Sequence, residues 1–245
     1  MRFRLLIAVL TACLTGEAMA QDRLMPVRQP DDPLLAAYRA DISRAFAEAF
    51  EPDVALRAVL LPSFQVEQVV GIRRRGDGYE IFALRPSLQL WTYQSLARLR
   101  SGRGGVMTLE GELGDPDAEL RDGTQDEIRR LEAGLPEDPR DVPLTRCAVP
   151  LEAAIVSRLR AVWRGMLDEV RPGERLDGGA DGTSYEFSME AAGLALRGET
   201  WSPRRGTRLA RLVGLAEAMR DYCDTRRPER LRALTRLVGQ FGARR

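Results

Sequence analysis

Histidine, lysine and asparagine are absent from this 245-residue chain, and all 37 of its basic side chains are arginine. Those gaps close off several chemistries at once. A Ser-His-Asp triad, a Cys-His pair, a histidine-based zinc site, a Walker-type phosphate lysine and a Schiff-base lysine cannot be built from this alphabet. Catalysis would have to rest on Asp, Glu, Ser, Thr, Tyr, Cys or Arg. Cysteine is scarce, with three residues, and no apolar run approaches the roughly 20 residues that a membrane-spanning helix requires.

What the sequence does contain begins with its first twenty residues. Arg2 and Arg4 precede the apolar run Leu5-Leu6-Ile7-Ala8-Val9-Leu10, and Ala18-Met19-Ala20 places small residues at the two critical positions of a cleavage site. This layout predicts a secretory signal peptide over 1–20, a mature chain starting at Gln21, and a periplasmic or secreted location. Leu10-Thr11-Ala12-Cys13 gives the alternative of a lipoprotein anchored at Cys13. Only about eight apolar residues precede that cysteine, so cleavage after Ala20 is the favoured expectation.

Loss of the leader leaves 35 residues of each charge, a balance that argues against a nucleic-acid binder. The charge is nevertheless segregated. Leu109–Asp141 holds twelve acidic residues against four arginines, and Pro203–Arg245 holds twelve arginines against four acids. These are expected to be solvated faces, with the acidic stretch an available intramolecular partner for the basic one. Cys147 and Cys223 remain after processing, and an even count in an oxidising compartment predicts one disulfide. Its loop of about 76 residues corresponds to on the order of 4 kcal/mol in the chain-entropy model. Two thiols without histidine and without a C-x-x-C spacing predict neither a metal site nor a redox centre.

Periodicity divides the remainder. Residues 21–32 are polar, hold Pro26 and Pro30, and read as a flexible arm. From Pro33 to Phe50 apolar residues recur at helical spacing, with Asp32 as N-cap. Arg57–Leu61, Phe64–Arg73 and Tyr79–Leu84 read as strands, with Gly76-Asp77-Gly78 as a hairpin turn. Ser87–Leu99 is ambiguous, Val106–Leu109 reads as a further strand, and 110–141 is an acidic surface excursion with a short helix at Thr124–Ala133. Val142–Val149 alternates again. A long helix then runs from Pro150 to Val170, with Leu151, Ile155, Leu159, Val162, Trp163, Met166 and Val170 as its apolar stripe. A second hairpin joins Thr183–Met189 to Leu194–Trp201, and basic amphipathic helices near Thr207–Tyr222 and Pro228–Phe241 close the chain. Strands grouped between helices predict an α+β fold: an antiparallel sheet of hairpins packed against a long central helix and C-terminal helices, in a single domain over 33–245.

Three short segments stand out: Leu61-Pro62-Ser63-Phe64 with Glu67 behind it, Asp181-Gly182-Thr183-Ser184-Tyr185-Glu186-Phe187, and Trp201-Ser202-Pro203. Together with Trp163 they resemble a loosely defined group of exported bacterial proteins with no known activity, over about Arg57 to Tyr222. The resemblance implies a shared fold and carries no reaction across. Physically, Asp181-Gly182 suits a tight turn, Trp201 covers a core edge, and Thr207 caps the next helix. A binding pocket formed by Asp181, Tyr185 and Trp201 is the functional counterpart of that structural reading.

Paired carboxylates are the one catalytic device left within reach. Glu186 and Glu199 lie on adjacent strands of the second hairpin. With Tyr185 and Phe187 turned to the core beside Leu194 and Leu196, Glu186 belongs on the opposite face near Arg197, where a cross-strand ion pair is the expected use. Asp115, Asp117, Glu119 and Asp122 suggest calcium, but Leu120 stands where an EF-hand loop needs glycine. Gly102-Arg103-Gly104-Gly105 lacks the spacing of a phosphate loop. The last helix sets Leu231, Leu234, Val238 and Phe241 beside Arg230, Arg232 and Arg236, a pattern for core packing or for contact with an anionic membrane. No cofactor or metal is expected. The chain reads as an exported, non-enzymatic binding or scaffolding domain whose partner is an envelope protein or glycan. Alternatives are a carboxylate-dependent hydrolase of cell-wall or glycan material, and a membrane-apposed lipoprotein.

Overall fold

The computed structural model describes residues 22–93, 136, 138–172, 181–191 and 193–242. The expected signal segment, the 94–135 stretch with its expected strand, helix and calcium carboxylates, and Gly102–Gly105 all lie outside the described residues. The protein is α+β, with a six-stranded antiparallel sheet, as expected. The chain divides into two compact units where the sequence predicts one domain. The larger draws on Met1–Arg28, Glu48–Arg85 and Arg146–Arg245, and the smaller on Gln29–Ala47 and Pro86–Thr145. Periodicity reports which face of an element is buried but not which distant segment covers it, so this division has no local signature.

In the smaller unit, α1 (Pro33–Ala45) opens with the Leu34 N–H donating to Asp32 Oδ1 at 2.7 Å, and buries Leu34, Tyr38, Ile42 and Ala45. The helix is shorter than its periodicity suggests. A 3₁₀ turn, Ala47–Phe50, takes the place of its expected last turn. Tyr38 meets Trp91 edge-on at 5.1 Å, and residues 90–93, ambiguous in sequence, are helical.

The larger unit holds the sheet. Its strands are β1 (Val54–Pro62), β2 (Gln68–Arg75), β3 (Gly78–Pro86), β4 (Leu144–Leu151), β5 (Thr183–Ala191) and β6 (Leu194–Trp201), in the order β4-β3-β2-β1-β5-β6. The β2–β3 and β5–β6 hairpins form where glycine punctuates the sequence, with Gly76 and Gly193 at positive φ. The central pairing of β1 with β5 joins segments more than a hundred residues apart, from Leu56↔Met189 to Pro62↔Thr183.

Against one face pack α2 (Ala153–Asp168), α3 (Arg208–Thr225) and α4 (Pro228–Gly242). Leu56, Ala58, Leu60, Val70, Ile72, Ile81, Tyr185, Phe187 and Met189 of the sheet share a core with Leu159, Trp163, Leu212, Met219 and Leu234 of the helices. Trp163 is fully buried and meets Phe187 at 5.6 Å in a T-shaped contact. Thr207 Oγ1 accepts the Ala210 N–H at 3.1 Å and starts α3. Arg226, in the left-handed region, ends α3, and Pro228 starts α4. The apolar stripe of α4 is turned inward, with Leu234 and Val238 buried, while Arg230, Arg232 and Arg236 remain exposed. Cys147 of β4 and Cys223 of α3 form the disulfide, their Cα atoms 5.9 Å apart. Among the described residues no helix is long and apolar enough to cross a membrane.

The segment expected to be a free arm is in fact docked over its first residues. Leu24 is fully buried, and Met25 pairs with Glu199 through hydrogen bonds of 2.9 and 2.7 Å, extending the edge of β6. The Arg208 N–H donates to Asp22 Oδ1 at 2.7 Å. Gly198 makes this possible: a Cβ there would stand 2.8 Å from Val170 and 2.9 Å from Leu24. Leu24-Met25 is a short apolar step between polar residues and prolines and shows no period, which is why the sequence hides the contact. Pro26, lacking an N–H, follows the bridge directly.

Candidate functional site

The three motif segments meet at one end of the sheet. Ser63 donates from both its N–H and its Oγ to the Gly182 carbonyl, at 2.9 and 3.1 Å. The Thr183 N–H donates to Ser202 Oγ at 2.9 Å, and the Ser202 N–H returns to the Thr183 carbonyl at 3.0 Å. Gly182 is held against the Trp201 ring so closely that a Cβ would overlap it, and Ser202 takes a positive φ of 30°. This is a joint that fastens the end of β1 to the start of β5 and the end of β6. Asp181 is exposed beside it. Tyr185 turns into the core, where it stacks on Phe187, and burial, followed by the Glu217 carboxylate, raises its pKa. Ser184 is the partner of Trp201, so by strand alternation Trp201 belongs to the face opposite Tyr185. The structure therefore does not gather Asp181, Tyr185 and Trp201 around one cavity.

Glu186 and Glu199 are direct cross-strand partners, and Glu199 is buried. Both stand on the sheet face opposite the helices, since Tyr185 and Phe187 occupy the core face. The expected partner Leu196 is half-buried against that core, but Leu194 at the hairpin tip is 68 % exposed.

One row along, the register sets Arg57 of β1 opposite Ser188 of β5, and Ser188 opposite Arg197 of β6. Two arginines thus flank a serine hydroxyl across three neighbouring strands. All three line a cavity of about 410 Å³, together with Phe50, Val54, Met189 and, among its acidic residues, Glu51 and Glu190. The Arg57 guanidinium lies over the Phe50 ring at 4.1 Å and donates to the Ala49 carbonyl at 3.4 Å. Burial, and then repulsion from Arg197, lower the Arg57 pKa to about 10, with Glu186 pulling in the opposite direction. The row therefore carries a cation that is costly to hold, beside a second cation that is exposed. Such a pair favours an incoming anion, and guanidinium forks match carboxylate and phosphate oxygens. Sequence reasoning passed over Arg57 because arginine is common here, and Arg57 and Arg197 are neighbours only through β5.

Neither Glu186 nor Glu199 is among the residues lining the cavity. Among the described residues no three Cys, Asp or Glu side chains are placed to hold a metal ion. Comparison of the chain with protein-family models, curated proteins and solved structures gave no match.

Proposed function

We propose that this chain is an exported binding domain of the cell envelope that holds an anionic group of its ligand on the Arg57–Ser188–Arg197 row. The observation that carries this reading is the placement of two guanidinium groups and a hydroxyl along one wall of a 410 Å³ cavity. That size falls within the roughly 300–1,000 Å³ range of small-molecule sites. The export part of the reading rests on the leader-like first twenty residues and is supported by the Cys147–Cys223 disulfide, since such bonds persist in oxidising compartments. A binding role suits this site better than hydrolysis, because Glu186 and Glu199, the carboxylate pair expected from sequence, are not among the residues that line it.

Thermal unfolding with and without small anions tests the binding part. A ligand that binds only the folded protein stabilises it by about 2.7 kcal/mol at a hundredfold excess over Kd. Acetate or phosphate is expected to raise the midpoint of the wild-type protein, and Arg197→Gln to abolish that rise without loss of fold, because Arg197 is exposed. An equal rise in the variant would remove this row from the reading.

A further inference from the structure

The cavity carries acids as well as arginines, and their placement is ordered. Glu190 follows Ser188 by two residues on β5, so it projects from the same face one pleat further along, about 6.8 Å away at the backbone. Its cross-strand partner is Ala195, which takes up little room. Glu51 enters the wall from the loop ahead of β1. Phe50, Val54 and Met189 add apolar surface to the same cavity. The wall thus has cationic groups on one row, carboxylates on the next and in the adjoining loop, and apolar side chains among them. Two arginines and two glutamates balance, so a ligand with a negative charge alone meets repulsion at Glu190 and Glu51.

We infer that the ligand is a small zwitterion, an amine and a carboxylate joined by an apolar body, with its carboxylate on Arg57, Ser188 and Arg197 and its ammonium on Glu190 and Glu51. This rests on the anion-binding reading given above and narrows it to a ligand class. Charge complementarity at both ends is what selects such a molecule: an N-acylated analogue leaves the carboxylates facing a neutral amide, and a C-amidated one leaves the arginines unanswered. A free amino acid and a short peptide with both termini free share this chemistry.

Isothermal titration of the full-length exported protein with four probes tests the inference: leucine, the dipeptide Leu-Leu, N-acetylleucine and leucinamide. At least one of leucine and Leu-Leu is expected to bind about 10-fold or more tightly than both singly charged probes, a difference of about 1.4 kcal/mol. The tighter of the two identifies a free amino acid or a peptide as the source. Glu190→Gln with Glu51→Gln, at two exposed positions, is expected to bring the zwitterion down to the affinity of N-acetylleucine while leaving N-acetylleucine no weaker. Equal binding of N-acetylleucine and the zwitterions overturns the inference and leaves the anion reading standing. Preference for leucinamide, or no binding by any probe, overturns both.

Discussion

Arg57 is where stability and the proposed anion binding pull against one another. Its guanidinium is held on the sheet beside Arg197, and its pKa falls to about 10, below its ordinary value, because burial and like charge disfavour the protonated form. The unfolded chain keeps that proton up to the higher value. Below about pH 10 the folded state therefore bears the full cost of the charge, and its relative stability rises as pH climbs from about 10 towards the ordinary guanidinium range. Arg57→Met is accordingly expected to be at least as stable as wild type in urea titration at pH 7, and to lose anion binding. A clear loss of stability in that variant would mean that the Phe50 and Ala49 contacts outweigh the burial cost. At the start of α3 the opposite result is expected. Thr207→Ala removes the acceptor for the Ala210 N–H and is predicted to cost about 1 kcal/mol, with no effect on ligand affinity.

At the scale of elements, the docked N-terminal segment depends on a glycine in the neighbouring strand. Gly198→Ala places a methyl group against Val170 and Leu24, and overpacking of this kind costs about 1–3 kcal/mol. Faster hydrogen exchange at Met25 and Glu199 is the expected signature, since those residues exchange both backbone hydrogen bonds of the bridge. Unchanged exchange would show that the segment is held without Leu24. The elements differ in how far the sequence discloses them. Both hairpins, the caps at Asp32 and Thr207 and the apolar stripe of α4 follow from local chemistry, and the sequence shows them. The β1–β5 pairing does not, because strand residues such as Val59 and Glu186 carry no mark of their distant partner. The Arg57–Ser188–Arg197 row exists only through that pairing, so the candidate site was illegible for the same reason. Glu186 and Glu199 lie inside one hairpin, so the sequence places them on adjacent strands, and their direct pairing follows from the register.

For the whole molecule, one covalent bond ties the β4 edge of the sheet to α3. Only one pairing was available to two cysteines, so this long-range contact could be read from sequence where the β1–β5 contact could not. Cys147→Ser with Cys223→Ser is predicted to lower stability by on the order of 4 kcal/mol in denaturant titration, with the core around Trp163 retained in the absence of denaturant. A change below about 1 kcal/mol would place the constraint on the folded rather than the unfolded chain. Anion binding on the Arg57–Ser188–Arg197 row requires the two arginines across β5 to act as one site. Following the Arg57 and Arg197 Nε–H resonances of ¹⁵N-labelled protein during titration with acetate is the most direct measurement. Both resonances are expected to shift together along one saturating curve, and Arg197→Gln is expected to abolish the shift of Arg57. Resonances that stay fixed, or shift independently with different affinities, would contradict it.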